Sequence, residues 1–443
     1  MLAEKKSGKK PRNREHIAWY LYDVGNSAYA AVVLLAIYSA YFKGEVVGGA
    51  EGSRLWGISV GIAMLVVAVV SPVLGAIADF SASKKKMLLG YSALTWIFTA
   101  LLFFVQKGDI FTGMLFFILA EIGYRSGQVF YNSLLPEITT PEEMGQVSGN
   151  GWALGSLGGI LCLIIILPMI MFTEGTLMVR LSLPFTAVFF AVSAIPTFLW
   201  IKERAKPQEL PPGKSYLSVG FDRLGKTIRS VRSFREFVKF IIAFLIYNDG
   251  ILMALDFAAI IGAVLFGMDQ QQLIIFMIIV QITSVAGAYV MAVFGNKVGF
   301  KRSLIVSILM MVGVVLAMLF VKNIVGFFII GALAGFALTG VQSISRTMVG
   351  LFAPEGQSAE FFGFFAVAGR TSSFIGPTIY GLLAAEAAFW FQENRNMPAL
   401  PAEQIGQKIA IGSIAVFLIV GLLVLLTVNE MKAKQQAVNK PEN

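Results

Sequence analysis

Cysteine and histidine are almost missing from this chain: Cys162 and His16 are the single copies in 443 residues. A lone cysteine excludes an intrachain disulfide and a thiolate zinc site. With one histidine there is no His-rich metal centre and no Cys–His nucleophile pair. Charge is scarce as well, at 14% of residues. No Gly-x-x-x-x-Gly-Lys-Ser/Thr run is present to cradle a nucleoside triphosphate. No set of His, Cys or paired carboxylates marks a reaction centre, so neither enzymatic activity nor a metal nor a cofactor is expected.

What is abundant is hydrocarbon. Hydrophobic residues make up 57% of the chain and gather into long runs. About twelve runs approach 20 residues, enough to cross roughly 30 Å of hydrocarbon at about 1.5 Å per residue. They lie near 17–42, 56–78, 87–106, 110–134, 149–172, 181–201, 238–266, 271–294, 303–321, 324–349, 360–386 and 408–429. The first is too long for a signal peptide and no clear small-residue cleavage site follows it, so it reads as a mature span.

The net charge of +9 is distributed by side of the membrane rather than in a nucleic-acid patch. About 25 basic residues fall in the N-terminal tail (Lys5, Lys6, Lys9, Lys10, Arg12, Arg14), the even-numbered loops and the C-terminal tail. About seven (Lys43, Arg54, Lys107, Arg180, Lys322, Arg395, Lys408) fall in the odd-numbered loops. That bias puts both termini in the cytoplasm and requires an even number of crossings; in a bacterium the membrane would be the plasma membrane. The basic tail suits anionic lipid, and no nucleic-acid partner is expected.

The one long internal polar stretch, 202–237, carries Pro207, Pro211, Pro212 and Gly213 and then a basic, amphipathic segment over 221–235. It reads as a cytoplasmic linker, either a helix on the membrane surface or a solvated connection. The expected organisation is a tail (1–16), an N-terminal six-helix bundle (17–201), the linker, a C-terminal six-helix bundle (238–430) and a second tail (431–443). An offset of about 218 pairs Pro136-Glu137 with Pro354-Glu355, Glu142 with Glu360, Gly145 with Gly363, Gly151 with Gly369 and Gly158 with Gly376. Small residues at matched positions let both bundles use the same close helix crossing. Gly376-Pro377 is expected to bend the eleventh span. The fold class is therefore all-α, with twelve transmembrane helices in two pseudo-symmetric bundles.

Ionisable groups at membrane depth cost on the order of 3 kcal/mol, so they are rarely left facing lipid. The acids are Asp23, Glu121, Asp249 and Asp256, and the bases Arg125, Arg346 and Arg370. Asp23 lies in Trp19-Tyr20-Leu21-Tyr22-Asp23-Val24-Gly25-Asn26-Ser27, with Tyr22, Asn26 and Tyr29 forming an adjoining polar stripe. It is a site for a proton or a substrate ammonium, or a residue near the cytoplasmic end that pairs with the tail or caps the helix. Asn248 and Asp249 belong to the similar Ile246-Tyr247-Asn248-Asp249-Gly250. Asp249 and Asp256 lie two turns apart on one face, with Arg346 and Arg370 as the candidate neighbours. Glu121 and Arg125, four apart, read as a self-neutralising pair or as part of a solute site. Gln128, Asn132, Gln281 and Gln342 add uncharged donors and acceptors that either tie helices together or touch solute.

The segment Gly75-Ala76-Ile77-Ala78-Asp79 followed by Lys84-Lys85-Lys86, with the weaker echo Gly295-Asn296-Lys297-Val298-Gly299-Phe300-Lys301-Arg302, resembles the loop signature of the major facilitator superfamily. The basic turn of the first copy starts one residue late, and the second has Ala292 and Asn296 where the glycine and the acid would stand. The resemblance implies a cytoplasmic gate drawn from Gly75, Asp79, Lys84, Lys85, Gly299, Lys301 and Arg302. The first-span segment Trp19 to Tyr29 is similar to that of the vacuole-effluxer-like branch, whose fungal members export amino acids from the vacuole. The resemblance implies a secondary carrier working by alternating access on a small solute such as an amino acid. A proton-linked exporter of hydrophobic or cationic compounds is the alternative, and a channel or a membrane enzyme lies further off. A functional monomer is expected, with protons as a possible second cargo.

Overall fold

The computed structural model describes residues 9–438 apart from 81–82, 140–143, 173–174, 205–208, 211, 232–233, 354–360, 362–363, 366–367 and 370–372. Among the described residues every regular element is a helix, as hydrocarbon demands of a chain that must satisfy its backbone internally without a closed barrel. Ten helical stretches are long and apolar enough to cross a membrane. The first runs 34 residues, Arg14–Val47. It is α1 (Lys9–Tyr29) continued by the π-helical Ala30–Ala36, the short α2 (Tyr38–Tyr41) and a second π-helical run, Phe42–Val47. The chain then turns into α3 (Gly49–Phe80) through Gly48 and Gly49, both at positive φ.

There follow α4 (Lys84–Leu101), α5 (Ile110–Ile138), α6 (Met144–Met171), α7 (Leu177–Trp200) and α8 (Tyr216–Val231). The second half holds α9 (Arg235–Asp256), α10 (Ala258–Phe266), α11 (Gln270–Val298), α12 (Phe300–Met318), α13 (Ile324–Phe352), α14 (Ile375–Arg395), α15 (Ala399–Leu426) and α16 (Glu430–Val438). Two of the expected spans are not among the ten apolar stretches. They are α5, which carries Glu121, Arg125, Gln128 and Asn132, and α14, whose expected N-terminal part lies partly outside the described residues. Both are helices at the expected fourth and eleventh positions, consistent with twelve crossings.

The chain divides into two compact units. The first comprises Met1–Leu34, Val70–Val105 and Phe111–Phe221; the second, Leu35–Val69, Gln106–Ile110 and Asp222–Asn443. In the first, α1 packs on α6 and α7, and α4 on α7. The α1–α6 crossing is set by Gly158: a methyl group there would fall 2.5 Å from the Val24 carbonyl oxygen and 2.6 Å from its Cα. In the second, α9 packs on α15 and α14, and α13 on α11 and α12. A methyl on Gly376 would fall 2.9 Å from the Asp249 carbonyl oxygen. The matched glycines of the repeat thus make matched crossings, which align Val24 with Asp249 and Asp23 with Asn248.

Candidate functional site

In the first unit the polar groups converge on Glu121 of α5, which is fully buried. The Arg125 Nε donates to its Oε1 at 2.7 Å and the Tyr29 hydroxyl donates to its Oε2 at 3.1 Å. The Arg125 guanidinium lies 5.1 Å from the Tyr124 ring centroid, and that ring packs 4.6 Å from Tyr29. A charged pair so placed is neutral as a unit, which lowers the cost of burying the Glu121 carboxylate. One turn before Tyr29, Asn26 is buried and its Nδ2 points to Asp23 Oδ1 at 3.4 Å, while Asp23 itself is half-buried. Gln128 is half-buried and Asn132 is exposed.

The rest of the first-span motif holds helices together. Tyr22 shares a 2.8 Å hydrogen bond with the Ser92 hydroxyl on α4 and stacks on Tyr131. Trp19 also stacks on Tyr131 with ring centroids 4.4 Å apart. Their side-chain donors cross over: Trp19 Nε1 donates to the Tyr131 carbonyl, and the Tyr131 hydroxyl donates to the Trp19 carbonyl. The expected stripe of Tyr22, Asn26 and Tyr29 is therefore divided among three partners.

In the second unit, Gln342 Nε2 donates to Asn248 Oδ1 at 2.9 Å, and Tyr247 shares a 2.7 Å hydrogen bond with the Ser345 hydroxyl, both joining α9 to α13. Asn248, Asp249 and Asp256 are buried. Asp256 closes α9, and its carbonyl accepts from Trp56 Nε1 at 2.9 Å. Gln281 is half-buried on α11 and Arg346 is exposed on α13; Arg370 lies outside the described residues.

Among the gate candidates, Gly75 and Asp79 belong to α3, and space is open where a Gly75 side chain would stand. Lys84 Nζ donates to Glu137 Oε1 at 2.5 Å and to the Ser133 carbonyl, and its backbone N–H donates to Glu203. Lys85 Nζ donates to the Ile201 carbonyl at 2.6 Å, while the next N–H, of Lys202, donates to Glu15 Oε1 at 3.0 Å. The second unit repeats the device: Lys301 Nζ donates to the Val428 carbonyl at 2.6 Å and the Asn429 N–H donates to Glu236 Oε2 at 2.6 Å. Lys301 reaches the Leu426 carbonyl too, where orphan carbonyls and the helix dipole both favour a cation. Arg302 is exposed, and Gly299, at φ +96°, turns α11 into α12.

Sequence reasoning missed a polar network at the end of the spans distal to the chain termini, within the second unit. Lys43 and Glu403 form a buried ion pair, 7% and 5% exposed. Beside it Gln407 Nε2 donates to the Ser53 hydroxyl at 2.8 Å and Tyr380 donates to Gln407 Oε1 at 2.7 Å. Gln270 Nε2 donates to the Ala36 carbonyl at 2.8 Å. A methyl on Gly57 would meet the Pro377 carbonyl at 2.5 Å. The signal was present as charge beside an apolar run, but span limits drawn where charge begins put Lys43 and Glu403 in loops.

Polar pairs embedded in long apolar helices describe a polytopic membrane protein. The sequence model of the family described as vacuole effluxer Atg22 like matches residues 56–438, and the chain belongs to that family. The match begins downstream of Trp19 to Tyr29, so it is independent of the segment on which the branch resemblance was read. The uncharacterized MFS-type transporter YxiO of Bacillus subtilis (strain 168) is 26% identical over 382 residues, covering 84% of this chain and 88% of that protein. Autophagy-related protein 22 of Yarrowia lipolytica (strain CLIB 122 / E 150) is 27% identical over 270 residues, covering 54% of this chain and 45% of the fungal one. Among solved structures, a bacterial homolog of the human lysosomal transporter Spinster, inward-facing and unoccupied, superposes with a TM-score of 0.73 at 12% identity, covering 98% and 100% of the two chains. A mutant of the nucleoside transporter NupG gives 0.70 at 14% identity, covering 94% and 100%. At such identities the likeness is one of fold. The chain is a multi-pass integral membrane transporter of the major facilitator fold, acting on a small molecule.

Proposed function

We propose that this transporter is a secondary carrier that moves an amino acid or a similar zwitterion by alternating access, as a monomer, with both termini in the cytoplasm and no enzymatic activity. The observation that carries the reading is the buried Glu121–Arg125 pair held by Tyr29. A carboxylate and a guanidinium that already neutralise each other can each exchange partners with a solute bearing both charges, so neither is stranded as the solute arrives. A singly charged or apolar solute offers no such exchange. The family's description as vacuole effluxers supports efflux of a solute. In a bacterial cell the membrane would be the plasma membrane, and Asp23, Asp249 and Asp256 are the groups at which proton coupling would act.

The test is uptake of labelled amino acids into proteoliposomes, with and without a pH gradient, by the wild type and by Glu121→Gln. Saturable uptake of an amino acid, lost in the variant, is the expected result. Transport of hydrophobic cations with no amino-acid competition would replace this reading with the exporter, and single-channel steps in planar bilayers would end the carrier.

A further inference from the structure

The helix α8, Tyr216–Val231, is the most amphipathic of the described helices, and Leu217 and Phe221 on its apolar side are exposed. At about 100° per residue, Leu217, Phe221, Leu224, Ile228 and Val231 fall in one stripe about 80° wide. Leu217 is 58% exposed and Phe221 44%. Val219, on the opposite side of the helix, is 7% exposed. A soluble helix buries its apolar stripe; here two residues of the stripe are exposed while Val219 opposite them is buried.

Charge and tethering both bear on what covers the stripe. The register puts positions 223 and 229, both arginine, on its two flanks, with Lys226 between them around the polar side and Asp222 as the helix's single acid. Only residues 232–234 separate Val231 from Arg235, the first residue of the membrane-spanning α9. A link that short reaches about 14 Å when fully extended, so the C-terminal end of α8 is held beside the bilayer surface. An apolar stripe flanked by cations and tethered at that depth matches the boundary between acyl chains and anionic headgroups.

We propose that α8 is a membrane-surface anchor whose apolar stripe inserts at the lipid interface and whose basic flanks select anionic phospholipid headgroups. The full-length protein, with Cys162 replaced by Ala, would be spin-labelled at Leu217→Cys, Phe221→Cys or Arg229→Cys. It would then be reconstituted in phosphatidylcholine alone or mixed with phosphatidylglycerol. In the mixed vesicles the labels at 217 and 221 should be reached by dissolved oxygen more than by a water-soluble nickel complex, and the label at 229 the reverse. The contrast should weaken in phosphatidylcholine alone, and so should the mixed-vesicle contrast in an Arg223→Glu, Lys226→Glu background. Labels at 217 and 221 that favour the nickel complex in both lipids would overturn the proposal, as would labels shielded from both reagents, the signature of a protein partner. A contrast indifferent to phosphatidylglycerol and to the charge reversal would overturn the anionic selectivity.

Discussion

Lys301 and Glu236 grip the two ends of one peptide unit: the ammonium holds the Val428 carbonyl and the carboxylate holds the Asn429 N–H, each at 2.6 Å. Lys85 and Glu15 do the same to the unit between Ile201 and Lys202. In each unit this ties the end of the last long helix to the starts of two others. A hydrogen bond to a charged group contributes about 1.5–3 kcal/mol, less where the ammonium is half-exposed. Lys301→Met and Glu236→Gln should each lower thermal stability in detergent by about 1 kcal/mol. The exchange Lys301→Glu with Glu236→Lys should fall below either, because the peptide dipole fixes which charge belongs at which end. Recovery in the exchanged protein would mean that the two side chains act as a simple ion pair.

The Lys43–Glu403 pair closes the distal end of the second unit, and on the proposed orientation that end faces outward. Removing one member of a buried pair costs about 3–5 kcal/mol. Lys43→Met and Glu403→Gln should therefore each favour the state in which this end is hydrated, and slow transport. The measure is maleimide labelling of Ser39→Cys, buried in α2, in a Cys162→Ala background. Labelling should rise in either single variant and return toward the starting level in Lys43→Met with Glu403→Met. Unchanged labelling in both singles would show that the pair does not hold this end closed.

The helical, membrane-spanning character of the chain was legible because hydrophobic run length is a local property, and the glycine repeat was legible because close crossings tolerate one residue type. Which acid corresponds to which was not. The likeness of the Asp23 and Asp249 segments invites pairing the two acids, yet the Gly158 and Gly376 crossings align Asp23 with Asn248. One residue along a helix turns a side chain by about 100°, and a short motif fixes register only as well as its anchors. The lysines of the loop signature were found, but their partners were backbone carbonyls, which carry no sequence mark.

Gly158 and Gly313 separate packing from propensity. A Gly158 methyl would collide with backbone at 2.5 Å, whereas nothing stands within 4 Å of the corresponding point on Gly313 in α12. Overpacking costs about 1–3 kcal/mol, while alanine gains roughly 1 kcal/mol over glycine inside a helix. Gly158→Ala should lower the melting temperature and Gly313→Ala should hold or raise it. Equal effects from the two would show that the α1–α6 crossing yields readily.

The Glu121–Arg125 pair calls for a test that distinguishes folding from transport, since a buried pair supports the core whether or not it meets solute. Glu121→Gln keeps the shape and an acceptor for Tyr29 but removes the charge that Arg125 Nε meets, so stability and uptake should both fall, uptake by tenfold or more, about 1.4 kcal/mol. Tyr29→Phe deletes one hydrogen bond, about 1 kcal/mol, and should reduce uptake by less than tenfold. The deciding variant is Glu121→Gln with Arg125→Met, in which both members of the pair are neutral. Its thermal stability should recover toward that of the wild type, because apolar replacement of a buried pair is often neutral. Its uptake should not recover, because the groups that exchange partners with the solute are gone. If uptake returns along with stability, the pair belongs to the core alone and the zwitterion reading loses its support.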